Sequence, residues 1–114
     1  MLTRWYVGTV DAPLEWRVHV EEEGKPPRPL PLRLDLRNHS PTGFAWGYWG
    51  SGPAQLALAL LADAAGPALA ERLYQDFKVE RIGRLSQSEG WRMSLTDILE
   101  WVVVAGMLAE GRKP

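Results

Sequence analysis

The 114-residue chain is predicted to fold as an α+β domain: a three-stranded antiparallel sheet at the N-terminal end, packed against two or three C-terminal helices. Three observations carry this expectation. Apolar and polar residues alternate with a period of two in the early part of the chain, as half-buried strands require. From Pro53 onward the apolar spacing becomes helical and strong helix formers dominate. Between the two lies a glycine- and tryptophan-rich run that suits neither element. The expected layout is a single domain over residues 1–114, with strands within about 4–37, a loop over 38–52 and helices within about 53–108.

Arg4 to Thr9 (RWYVGT) is rich in β-formers. Glu15 to Glu21 (EWRVHVE) alternates cleanly, with Trp16, Val18 and Val20 on one side and Arg17, His19 and Glu21 on the other. Val10 to Pro13 reads as their connection, and Glu22 to Pro29 (EEGKPPRP) as a loop. Leu30 to Arg37 (LPLRLDLR) alternates again: Leu30, Leu32, Leu34 and Leu36 toward a core, Arg33, Asp35 and Arg37 outward. Pro31 lies on the outward set and lacks an N–H, so it favours an edge or the strand's start. Three strands with short links make a meander with one wet face.

Pro53 to Ala65 (PAQLALALLADAA) is the first helix. Pro53 suits the first turn, Ser51 or Gly52 the N-cap, and Gly66-Pro67 the stop. A second helix runs from about Pro67 to Leu85, with Leu69, Leu73, Tyr74 and Phe77 as its stripe. Val79 and Ile82 fall off that stripe, so the last turns either meet a second neighbour or end early. Gln87 to Gly90 is a turn, and Trp91-Arg92-Met93 a short extended piece. Ser94-Leu95-Thr96-Asp97 resembles a capping box and opens a third helix to about Leu108. The Val102-Val103-Val104 run also allows a strand there. This helix has two apolar stripes: Leu95, Ile98, Leu99 and Val102 on one side, Trp101, Val104 and Leu108 on the other. If the second stripe is uncovered, it predicts a homodimer through Trp101, Val104 and Leu108; the alternative is a central helix packed on both sides. Gly111 to Pro114 reads as a frayed tail.

Apolar residues make up 46% of the chain and charged residues 24%, a globular balance. The net charge of −1 gives nucleic acid no general attraction, although a local basic patch stays open. The lack of cysteine removes disulfides, thiolate metal sites and a cysteine nucleophile. The N-terminus has no signal-peptide core and no apolar run is long enough to span a bilayer, so a cytoplasmic location without membrane contact is expected. Arginine outnumbers lysine ten to three, and asparagine occurs once. That composition is compatible with a thermophile; a GC-rich genome would bias it the same way.

The stretch LPLRLDLRNHSPTGFAWGYWGSGPAQLALALLADA, Leu30 to Ala64, resembles the signature of a small bacterial and phage family of unknown function. The matching places are Asn38 to Phe44, Trp46 to Tyr48 and Gly50 to Ala57, with Ala45 and Trp49 at variable positions. Tyr6-Val7-Gly8, LYQDFK and Trp91 near a Thr96-Asp97-Ile98 helix start are similar too. The resemblance implies no activity or cofactor. Occurrence in phages would favour an accessory or interaction protein.

The His39 to Gly52 run admits several uses. Its glycines and aromatic rings suit a packed connection from sheet to helix, with Asn38, His39 and Ser40 bonding loop backbone. Aromatic side chains beside a helix N-terminus also suit a ligand, with Ser51-Gly52 N–H groups offered to an anion. The run lacks the lysine of a P-loop and the order of a dinucleotide fingerprint. Single-stranded nucleic acid would need the same rings with arginines; Arg17, Arg33 and Arg37 share the predicted outer sheet face, among diluting acids. For catalysis, Ser40 directly follows His39, a poor geometry for attack, and no zinc motif is present. The expected function is therefore a small non-enzymatic protein-interaction module, with neither cofactor nor metal. The alternative is a ligand or single-stranded nucleic-acid binder. The candidate contacts are His39, Phe44, Trp46, Tyr48, Trp49 and Ser51, with Arg33 and Arg37.

Overall fold

The structure, a computed structural model, describes residues 3–11 and 15–111. The first two strands, β1 (Arg4–Asp11) and β2 (Glu15–Glu22), pair antiparallel in the register Tyr6↔Val20 and Gly8↔Val18. A two-residue strand, β3 (Arg28–Pro29), pairs with β2. The helices α1 (Ser51–Ala65), α2 (Pro67–Glu80) and α3 (Leu95–Gly111) follow, with β4 (Trp91–Ser94) just before α3. β4 pairs with β1 on its free side, so the antiparallel sheet has four strands in the order β3-β2-β1-β4. The α+β expectation holds, with the short Trp91 segment as the added strand.

The alternation read in β2 is real. Val18 and Val20 are buried, while Arg17 is exposed and His19 and Glu21 are half-buried. Tyr6 and Gly8 on β1 share the inner face. The outer face is open and laced by charge. Arg92 lies over the Trp5 ring at 4.2 Å and pairs with Glu21, which also meets His19 at 3.0 Å.

Leu30 to Arg37 does not form the predicted strand. Only Leu30 continues the ladder, donating its N–H to Val18 O, and it is buried. The chain then turns: Leu36 N–H bonds back to Arg33 O at 3.0 Å, and Arg33 takes a left-handed backbone with φ of 59°. Leu34 is left exposed. The leucine period of two is therefore local and is not matched by a partner edge. Partners for this backbone come from α1 instead, as described below.

The centre of the molecule is α1, which is buried continuously from Gly52 to Ala62. It is apolar on every side, the pattern of a helix packed all round. One flank meets α2, and its buried residues share one core with Tyr6, Val18 and Val20 of the inner sheet face. α2 ends at Glu80, short of the expected Leu85, which is the early end that the break in its stripe at Val79 and Ile82 allowed, and a single 3-10 turn (Ile82–Arg84) follows. That turn buries Ile82 and leaves Val79 exposed. α3 begins where expected: Ser94 Oγ accepts the Asp97 N–H at 3.0 Å, an N-cap bond. α3 buries Ile98, Trp101 and Val102. Trp101 turns inward against Phe77, with ring centroids 4.8 Å apart, and Leu99 turns outward. The two stripes read from sequence are thus divided differently. The predicted connection at Ala12-Pro13 and the tail beyond Gly111 lie outside the described residues.

Candidate functional site

The long connection from β3 to α1 is held by one side chain. Gln55, on the second turn of α1, is fully buried and is the only buried polar residue among those described. Its Oε1 accepts the N–H of His39 at 2.8 Å and of Ser40 at 3.0 Å. Its Nε2 donates to Leu32 O at 2.6 Å and to Arg37 O at 3.0 Å. Both donors and both acceptor positions of the amide are used. Four backbone groups that a strand partner would satisfy are satisfied by one amide.

Three further anchors fix the run that follows. Ser40 Oγ donates to Gly43 O at 2.7 Å. His39 Nε2 meets the Tyr74 hydroxyl of α2 at 2.8 Å. Gly47 N–H donates to Ile82 O. His39 and Ser40 are therefore each engaged elsewhere and not with one another.

Trp46 is fully buried. It packs between Trp16, at 6.1 Å, and Trp91, at 5.5 Å and edge-on, and its Nε1 donates to Glu89 O at 3.0 Å. It knits sheet, connection and the turn before β4 into one core, out of reach of a partner in this fold. The connection's other rings stay nearer the surface. Phe44 is half-buried, and Tyr48 and Trp49 are exposed.

Trp49 is 64% exposed, yet it is placed. Its ring edge sits against Gly83, where a side-chain carbon would overlap Cδ1 and Nε1, and its Nε1 reaches Val79 O at 3.4 Å. On another side, Phe44, Tyr48 and Ser51 border a cleft of about 560 Å³ together with Trp16, Arg17 and Ser40. The N-terminus of α1 opens there. Gly50 caps it without a side-chain bond, and Pro53 has no N–H to offer. The structure thus gathers Phe44, Tyr48 and Ser51, sets Trp49 apart over the 3-10 turn, and sinks Trp46.

Arg33 and Arg37 are not on the sheet. They lie on the turn after β3, Arg33 in a two-bond pair with Asp35 at 3.1 Å and Arg37 facing Glu71 at 3.7 Å. The Arg33 guanidinium holds the Asp35 carboxylate below its ordinary value. The densest charge cluster is at the far end of α1. There Asp63 accepts from the Tyr6 hydroxyl at 2.6 Å, from Arg28 at 2.9 Å and from Arg4 at 3.3 Å. It ties the C-terminal turn of α1 to β1 and β3. Among the described residues no group of three or more His, Asp or Glu side chains is placed to hold a metal ion.

Trp16 and Tyr74, read from sequence as inward-facing residues of β2 and α2, join Gln55 and Gly83 in this architecture, and those last two were given no role by sequence reading. Of these two only Gln55 carried a signal: a lone polar residue inside an otherwise apolar stretch of helix must have partners.

A model described as a family of unknown function (DUF6166) matches residues 6–104, and the chain belongs to that family. Neither a curated protein nor a solved structure matches it.

Proposed function

We propose that this member of the family is a non-enzymatic protein-interaction module. Its contact surface is the outer rim of the 39–52 connection, with Trp49 as anchor and the Phe44–Tyr48 cleft as a neighbouring subsite. The observation that carries the reading is Trp49: a large ring, 64% exposed, pinned on a glycine and a backbone carbonyl. Rigid exposed aromatics are the residues that dominate protein interfaces, because little conformational freedom is lost when they dock. The connection beneath is equally rigid, since Gln55, Tyr74 and Ile82 hold its backbone and side chains. The resemblance to bacterial and phage chains supports an accessory role of this kind.

The test is capture of binding proteins from a bacterial host by immobilised wild type and by Trp49→Ala. A partner retained by wild type and by Arg37→Ala, and lost with Trp49→Ala at an unchanged melting temperature, is the expected result. Equal capture by wild type and Trp49→Ala would refute the surface.

A second reading rests on the cleft. Arg17, Ser40 and Ser51 border it beside the α1 N-terminus, a setting for a small anionic ligand that would have to draw Arg17 from its 3.3 Å pair with Glu15, which lines the same cleft. A melting-temperature rise with phosphates or carboxylates, weakening with salt and abolished by Arg17→Ala, would favour it over a protein partner. Single-stranded nucleic acid draws less support. Arg33 and Arg37 sit on a turn after β3, away from the cleft's lining.

A further inference from the structure

We infer that the cleft between the start of β2 and the connection into α1 binds a neutral saccharide, with an aromatic ring against one pyranose face and a paired acceptor and donor at its hydroxyls. Such a site rests on the ligand reading of the cleft and needs nothing from Trp49.

The cleft, at about 560 Å³, is of the size that small-molecule sites have. Its apolar walls are rings. Trp16 and Phe44 are half-buried, and Tyr48 is 40% exposed. Tyr48 is held in place although it meets solvent. A Cβ on Gly50 would stand 2.6 Å from its Cε2, and one on Gly52 would stand 3.1 Å from its hydroxyl, so the ring lies across two glycines. Trp16 is fixed as well, since its Nε1 donates to Gln87 O at 3.0 Å. The face of an aromatic ring carries partial negative charge. The C–H bonds on one face of a pyranose are weakly positive and stack on it, whereas a phosphate or carboxylate is repelled.

The polar lining selects among the ligands that fit. Glu15 and Arg17 both border the cleft and pair at 3.3 Å. An anion beside Arg17 meets Glu15 as well, and a cation beside Glu15 meets Arg17. The pair is matched by a ligand without net charge that both donates and accepts. Adjacent sugar hydroxyls do this: one O–H donates to the carboxylate while the neighbouring oxygen accepts from the guanidinium. Ser40 makes the same demand. Its O–H is spent on Gly43 O, so its oxygen has only lone pairs left and needs a donor. A carboxylate has no O–H to give it, and a sugar has several. Thr42 and Ser51 add hydroxyls that serve in either sense.

The experiment is saturation-transfer NMR of the full chain with methyl glycosides of glucose, galactose, mannose and N-acetylglucosamine at millimolar concentration. Oligosaccharides of the same sugars and inorganic phosphate form separate arms. Transfer to the C–H protons of at least one sugar is expected, unchanged by added salt because the ligand is neutral. Transfer to oligosaccharides alone supports a polysaccharide source, and transfer to the methyl glycosides as well supports a free sugar. Tyr48→Ala and Glu15→Gln should each raise the dissociation constant at least about tenfold, and Tyr48→Phe, which keeps the ring, should recover most of the first loss. Gln75→Ala, at an exposed position of α2, should change nothing. Far-UV circular dichroism should show the native fold in all four variants. Transfer to none of the sugars would overturn the inference. A rise in melting temperature with phosphate, strengthened by Glu15→Gln, would then leave the cleft to an anion, and no response to either would end the ligand reading too. Sugar binding that survives both Tyr48→Ala and Glu15→Gln would overturn the inference equally, by placing the ring elsewhere.

Discussion

The Oε1 atom of Gln55 accepts the backbone N–H of His39 at 2.8 Å, and with it the connection from sheet to helix is fixed to α1. Gln55→Leu keeps the volume and removes all four bonds. It leaves the His39 and Ser40 N–H groups and the Leu32 and Arg37 carbonyls without their partner. A loss of about 3 kcal/mol is expected, given that several polar groups are orphaned at once. Gln55→Glu should recover part of it, since a carboxylate still accepts the two N–H groups but faces the two carbonyls. Urea unfolding of the three proteins measures the order. Equal stability of Gln55→Leu and wild type would show that water replaces the amide at no cost.

Trp46 and Trp49 lie three residues apart and should respond oppositely. Trp46→Ala empties the space between Trp16 and Trp91 and should destabilise by about 4 kcal/mol. Trp49→Ala removes a ring that is mostly in solvent and should cost under about 1 kcal/mol. Thermal unfolding of both variants, followed by far-UV circular dichroism, gives the comparison. A Trp49 loss as large as that of Trp46 would make the ring a core element.

Two glycines carry rings and predict a second contrast. Gly8 and Trp91 are strand partners in the β1–β4 ladder, and the Trp91 indole lies across Gly8 where a methyl group would have to go. Trp91 is also wedged against Trp46, so it cannot yield. Gly8→Ala should therefore cost about 2 kcal/mol or more by overpacking. Gly83→Ala puts the same methyl under Trp49, displacing a ring that has solvent on its other side and only its bond to Val79 O to lose. Its cost should stay below about 1 kcal/mol, with a red shift of tryptophan emission that Trp49→Phe abolishes. Under the interaction reading, Gly83→Ala also weakens partner capture, because the anchor is no longer fixed.

Much of this was legible in the sequence. The β2 alternation, the cap at Ser94 and the stop at Gly66 rest on local rules, and the structure follows them; α1 begins two residues before Pro53, at Ser51, with Gly50 and not Ser51 or Gly52 as its N-cap. Leu30 to Arg37 misled for a physical reason. A period of two says which residues face inward, but not whether a strand edge is available to pair with. Here Gln55 substitutes for that edge, and a single amide leaves no periodic trace. The loop's rings could not be sorted into Trp46 inside and Trp49 outside, because tryptophan serves both settings. What separates them is the Trp16–Trp46–Trp91 stack, which joins residues far apart in the chain. For α3, the inward and outward stripes depend on where Phe77 stands, since that ring draws Trp101 inside.

The Tyr6–Asp63 bond sets the alkaline limit. Burial pushes the Tyr6 hydroxyl well above its ordinary value of 10.0, and the hydrogen bond to Asp63, which needs the proton, pushes the same way; Arg4 opposes both. In the unfolded chain Tyr6 loses its proton near its ordinary value. Above that pH the folded state holds a proton that the unfolded state has released. Stability is then fully present below pH 10.0 and falls as pH rises from there toward the folded value. Tyr6→Phe removes both the hydroxyl and this dependence. At neutral pH the variant should be less stable by about 1–2 kcal/mol, because Asp63 loses its closest donor. Between pH 10 and 11.5 its stability should decline less steeply than that of wild type, so that the two curves converge. Urea unfolding across that range, with both proteins in the same buffers, measures the difference in slope. Parallel curves would mean that Tyr6 ionises alike in both states, and that the 2.6 Å bond does not hold its proton.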